Sequence, residues 1–192
     1  YAKKNIDVVV IGSHYGNWEW LLAIGYQLQH DQLPIIYRPL KNKYFDWFIT
    51  KIRTQTGGIP VPMNDIYKKL LEYRKEKTSH LTGFLGDQRP PGRTPFWTIF
   101  LNQETAFFLG PEKIAKKIDA AVFFLDIRKI KRGYYEVEFV FYIFKPAETK
   151  EYEITKYFVR KLEEVIREKP ECWLWSHKRW KYKRPENIKL HN

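Results

Sequence analysis

The stretch Val8-Val9-Val10-Ile11-Gly12-Ser13-His14-Tyr15-Gly16-Asn17-Trp18-Glu19-Trp20 passes from four apolar residues through a small, polar turn into an apolar-rich segment that reaches Leu28. A short β-branched run of this kind reads as a strand buried on both faces. The Gly, Ser and Asn residues after it read as a turn that opens a helix. Strand, turn and helix make the first half of a βα unit, and a histidine and a carboxylate stand where the turn meets the helix.

The same alternation continues along the chain. Apolar runs predict further strands over 33–37, 81–85 and 120–127, with the first strand spanning 6–11. Helices are predicted over 18–29, 43–56, 65–77, 111–118 and 152–167. The 43–56 segment carries Phe45, Phe48, Ile49 and Ile52 on one face and ends at Gly57-Gly58, while Asn64 or Asp65 caps the 65–77 segment. In the last helix Phe158, Leu162, Val165 and Ile166 form an inward stripe. Residues 135–144 alternate through Glu136 and Glu138 before turning apolar, as an outer or antiparallel strand does. We therefore expect an α/β fold: one domain over 1–192, with a central, largely parallel or mixed sheet flanked by helices. In such sheets ligands gather beyond the carboxyl ends of the strands, which is where the His14 turn falls.

Composition is consistent with one core. The 192 residues are 44% hydrophobic and contain no internal repeat, low-complexity tract or Gly/Ser linker. Lys and Arg number 34 against 22 Asp and Glu, a net charge of +12 that favours nucleic acid, an anionic membrane surface, phosphorylated substrates or an acidic protein. Seven Trp, 13 Tyr and 13 Phe suit the membrane–water interface or single-stranded nucleic acid, and composition leaves both open. The single cysteine, Cys172, excludes an internal disulfide and a Cys-based zinc site. No apolar run approaches the roughly 18 residues that span a bilayer, and no signal-peptide pattern occurs. Because the chain begins at Tyr1 rather than Met, we expect a further N-terminal segment, such as a membrane anchor, ahead of it.

His14 and Glu19 form an acid/base pair in outline, since imidazole moves protons near neutral pH and a carboxylate can orient it. The spacing alone is weak, because five His among 22 acidic residues meet it readily by chance. The other histidines lack it: Ile35, Leu85 and Tyr182 lie five residues beyond His30, His80 and His177. On a continuous helix five steps turn about 500°, which leaves the two side chains roughly 140° apart. They can meet only if His14 lies on the turn and Glu19 points back from the first helical turn.

Three other segments carry more chemistry than connectors need. In Tyr37-Arg38-Pro39-Leu40-Lys41-Asn42, Arg38 could pair with a phosphate or a developing oxyanion, or be an ordinary surface arginine. Gly86-Asp87-Gln88-Arg89-Pro90-Pro91-Gly92-Arg93-Thr94-Pro95-Phe96-Trp97 could line a substrate channel, or be a stiff loop whose aromatics cover the core. The tail from Cys172 to Pro185 interleaves Trp173, Trp175, Trp180 and Tyr182 with basic residues. It could pack its aromatics on the core, or face lipid phosphates or nucleic acid.

Taken in order, these segments resemble the lysophospholipid acyltransferase superfamily. More narrowly, they resemble the bacterial late acyltransferases that add a secondary acyl chain to the lipid A precursor. The resemblance rests on His14-x4-Glu19 after an apolar strand, Tyr37-Arg38-Pro39 with Asn42, Asp87-Gln88 before Pro95-Phe96, and Pro170-Glu171 through Trp175-x-His177-x-Arg179-Trp180-Lys181 to Arg184-Pro185. It spans about residues 6–185. The Glu-Gly-Thr block of glycerolipid acyltransferases is absent, Arg89 stands where relatives often carry an acidic or small residue, and the 120–127 strand lacks a proline common among them.

The resemblance implies an O-acyltransferase with His14 as general base and Glu19 as its orienting partner. Arg38, Asn42, Asp87, Gln88 and Arg89 are then expected to bind substrate, and Arg179, Lys181 and Arg184 to form a membrane or phosphate surface. It implies acyl carrier protein as donor, a glycolipid acceptor, the cytoplasmic face of the inner membrane as location, and neither metal nor organic cofactor. The rival expectation, a nucleic-acid-binding domain, gives Glu19 no purpose beside the histidine.

Overall fold

The computed structural model describes residues 1–90 and 94–191, the side chains at 141 and 142 excepted. At its centre β1 (Val8–Gly12) pairs in parallel with β4 (Leu81–Leu85) on one side and β7 (Ala121–Lys131) on the other. Beyond β4 lie β2 (Leu33–Tyr37) and then β3 (Gly58–Pro62), both parallel to it; beyond β7 lies antiparallel β8 (Tyr134–Ile143). The order is therefore β3-β2-β4-β1-β7-β8, a mixed and mostly parallel six-stranded sheet.

Three strands add to the sequence expectation. β3 reads Gly-Ile-Pro-Val-Pro, and its two prolines mark it as a breaker in sequence; at a sheet edge the missing N–H groups need no partner. A separate antiparallel hairpin, β5 (Trp97–Phe100) and β6 (Gln103–Ala106), turns through Leu101 and Asn102, both in left-handed backbone.

Alternate residues of the central strands face opposite layers. Val9, Ile11, Phe84, Val122 and Phe124 face a layer made of α2 (Ile66–Lys75), α3 (Gly110–Ile118) and α4 (Glu153–Glu168). There Leu70, Ala115 and Leu162 are fully enclosed, and α4 buries the predicted Phe158, Leu162, Val165 and Ile166 stripe. Val8, Val10, Leu81, Ala121 and Leu125 face the other layer, under residues Trp18–Gln27. That segment is a ten-residue 3-10 helix rather than the expected α-helix, with no side-chain cap and no buried residue to hold it in α geometry. Beside it runs α1 (Lys43–Thr54), which likewise buries nothing.

Candidate active site

β1 and β4 run in parallel with a constant offset, from Val8 opposite Leu81 to Gly12 opposite Leu85. The ladder extends past both strands, where the Gly86 N–H donates to the Gly12 carbonyl at 3.0 Å. Two residues beyond each strand end, the same offset brings His14 to Asp87. His14 Nδ1 lies 2.7 Å from Asp87 Oδ1, so the sheet register itself builds the pair.

Asp87 is 3% exposed, and its second oxygen accepts from the Trp173 indole at 3.0 Å. Burial alone would raise its carboxyl. The His14 hydrogen bond and charge, with the Trp173 N–H, outweigh that and hold it below the ordinary carboxylate range. An ionised Asp87 accepts a proton-bearing Nδ1, which leaves the lone pair on Nε2. The Gln88 amide nitrogen is 3.3 Å from that Nε2, and the Trp18 ring meets the imidazole at 5.4 Å between centroids. Both ring nitrogens are engaged, so neither serves Ser13.

The tail clamps the histidine turn. Trp173 bridges Tyr15, the Leu174 N–H donates to the His14 carbonyl, and the Gly16 N–H donates to the Cys172 carbonyl. Gly16 sits at φ 60°, which a side chain would strain. The Tyr15 hydroxyl donates to the Val165 and Lys169 carbonyls at the end of α4, and burial pushes its phenol up.

The expected pairing of His14 with Glu19 is not formed. Glu19 leaves on the 3-10 helix and meets Arg53 of α1, with Oε1 2.7 Å from Nη2. Arg38 is exposed beyond β2 and makes no ion pair among the described residues. The Asn42 side chain caps α1, accepting from the Tyr44 and Phe45 N–H groups. Arg89 is tied to the tail, its N–H donating to His177 Nε2 and its guanidinium to the Lys178 carbonyl. Burial, with Arg89 and Arg179 nearby, holds His177 below the ordinary imidazole range, consistent with a neutral acceptor. Pro91, Gly92 and Arg93 of the proline-rich loop lie outside the described residues.

The tail does not present the expected basic surface intact. Arg179 is buried, over the Phe107 ring and bonded to the Ala106 carbonyl, and burial pushes its guanidinium down to about 10. Among the described residues its Nε and Nη1 have no partner. Arg184 pairs with Glu104, and Lys181 alone of the three is exposed.

Below the pair, on the loosely covered side of the sheet, lies an apolar cavity of about 120 Å³. Gly12, Trp18 and Leu85 lie at its His14 end; Gly83, Leu81 and Leu28 lie deeper. Glu19 and Arg53 also line it. A Cβ added at Gly83 would meet nothing within 4 Å, so that missing side chain leaves room in the cavity. Among the described residues no group of three His, Cys, Asp or Glu side chains is placed to hold a metal ion, and no helix is long and apolar enough to cross a membrane.

A mostly parallel α/β sheet with a histidine–carboxylate pair at its strand tips, above an apolar cavity, defines a scaffold that can move a proton beside an apolar guest. The chain belongs to the bacterial lipid A biosynthesis acyltransferase family, which it matches over residues 2–182. No curated protein matches it. The family makes the chain an acyltransferase.

Proposed function

We propose that the protein moves a fatty acyl chain from an acyl thioester on acyl carrier protein to a hydroxyl of a phosphorylated glycolipid, a lipid A precursor, with His14 as general base and Asp87 in the orienting place first expected for Glu19. The observation that carries this reading is the 2.7 Å bond from His14 Nδ1 to a buried Asp87, above an apolar cavity. Its setting is the cytoplasmic face of the inner membrane, where a carrier protein and a lipid acceptor meet.

His14 Nε2 removes the proton as the acceptor oxygen attacks the thioester carbonyl, and Asp87 stabilises the imidazolium that results. The tetrahedral oxyanion collapses with loss of the thiolate, which takes the proton back from His14, so ester and free thiol form with nothing left over. Gln88 gives up its long contact with Nε2 when the acceptor hydroxyl arrives, and its amide N–H groups are then available to the oxyanion. Arg38 is exposed at the same end of the sheet and fits an acceptor phosphate. The net charge of +12 favours encounter with an acidic carrier.

His14→Ala is expected to abolish transfer from lauroyl or myristoyl carrier protein to lipid A precursor while circular dichroism stays unchanged. Near-normal turnover by that variant would sink the mechanism. Mass spectrometry of lipid A from cells with and without the protein identifies the acceptor.

A further inference from the structure

The α1 helix is built inside out. At 100° per residue, Trp47, Lys51, Tyr44, Phe48, Ile52 and Phe45 fan over an arc of about 160°. That arc faces away from the protein: Tyr44 is 86% exposed, Phe45 63%, Trp47 62%, Phe48 50% and Ile52 40%. The opposite arc carries Asp46, Ile49, Thr50 and Arg53, all less exposed. Its polar members are used, since Asp46 accepts from the Leu40 N–H at 2.8 Å and Arg53 holds Glu19. With Asn42 capping its first turn, α1 is firmly formed and turns its apolar face outward. Of the Phe45, Phe48, Ile49 and Ile52 face read from sequence, only Ile49 turns toward the protein, and the other three have no core against them.

We propose that α1 is an interfacial helix that docks the protein on an anionic lipid bilayer. The apolar arc is ringed by cations. Arg38, Lys41, Lys43 and Lys51 are all exposed, Lys51 lying 5.0 Å over the Trp47 ring, while the one acidic residue of the helix, Asp46, is turned to Leu40. Aromatic and aliphatic side chains bordered by Lys and Arg match the acyl boundary and anionic headgroups of a bilayer. The arc is too apolar for a polar carrier protein to cover and carries no partner carboxylates for a second copy of itself. Its position gives the docking a purpose that rests on the acyl-transfer reading: Arg53, on the opposite arc, and its partner Glu19 line the cavity, so a bilayer against the apolar arc lies one helix away from the cavity beneath His14. This shifts the lipid-facing surface from the tail to α1.

Co-sedimentation of the purified protein with vesicles of phosphatidylglycerol and phosphatidylcholine tests the proposal. Trp47→Ser/Phe48→Ser is expected to weaken partitioning at least about tenfold, with unchanged thermal unfolding because both side chains stand in solvent. Lys41→Gln/Lys43→Gln/Lys51→Gln is expected to erase the preference over pure phosphatidylcholine, at about fivefold per charge. Trp175→Ser/Lys181→Gln in the tail is expected to bind as the parent does. Parent-like binding by the Trp47/Phe48 variant, or loss of binding by the tail variant, overturns the proposal. So does a parent dimer that ignores vesicles and is split by Trp47→Ser/Phe48→Ser. Transfer to detergent-dispersed acceptor separates the two readings: a protein that docks through α1 yet transfers no acyl chain refutes the enzyme mechanism alone.

Discussion

One face of the central sheet lies against α2, α3 and α4 and encloses Leu70, Ala115 and Leu162 completely, whereas the other meets a 3-10 helix with no buried residue and leaves a cavity at Gly83. The two faces share the same strands and both are apolar, so the difference lies in what covers them and in the side chain that Gly83 lacks. Close packing contributes stability in proportion to the area removed from water. A loose cover gives up part of that and keeps space for a guest. The first face is closely packed, and the second keeps an apolar cavity, with the His14–Asp87 pair at the strand tips above it.

The largest effect expected from this division concerns the pair itself. Asp87→Asn leaves its one oxygen to the Trp173 N–H and turns an amide N–H toward Nδ1, which favours the wrong His14 tautomer, and is expected to lower kcat about a thousandfold or more, with KM little changed. Glu19→Gln disturbs only a half-exposed ion pair on the cover, and is expected to cost less than about tenfold. Steady-state kinetics of both variants decide the matter. The reverse ranking would mean that Glu19, not Asp87, partners His14 during turnover.

A smaller effect tests the packing contrast directly. Leu162→Ala opens a hole in the enclosed layer and is expected to cost about 2–5 kcal/mol in urea unfolding. Leu22→Ala, on the cover and lining the cavity, is expected to cost about 1 kcal/mol or less. Equal losses would break the comparison, because the 3-10 helix would then be as structural as α4.

How much of this could be read from the chain follows from how local each signal is. β1, β4 and β7 are legible because strands of a buried parallel sheet are continuous apolar runs. β3 is not, because Pro60 and Pro62 are tolerated only at an edge, and sequence does not say which strand lies there. His14 is legible by residue type and by its place after the first strand. Its partner is not, since Asp87 stands 73 residues away and reaches it only because β4 lies next to β1 in the order. A spacing rule finds Glu19 because five residues can be counted; register across a sheet cannot. The tail reads as basic and aromatic, but nothing local reports that Arg179 turns inward or that the Trp173 N–H meets Asp87.

The smallest effect sharpens the comparison to one position. Gly83 lies in the middle of β4, opposite Val10 and Ile35, and its absent side chain would project into the cavity. It stands four residues before Asp87, about 13 Å back along the strand. A medium-length saturated chain whose carbonyl sits at His14 would reach that depth, so Leu at 83 would stop a long chain and spare a short one. Gly83→Leu is expected to leave kcat/KM for an octanoyl donor near the parent value and to lower it about tenfold for a palmitoyl donor, the cost of roughly one displaced apolar contact group. Gly83→Ala should fall between them and raise stability by about 0.5–1 kcal/mol, because glycine in a strand interior is entropically costly. Competition between two donor lengths in one reaction reads the ratio without dependence on enzyme concentration. A ratio unchanged in Gly83→Leu would mean that the acyl chain lies elsewhere, and that the loose face of the sheet serves something other than the chain being transferred.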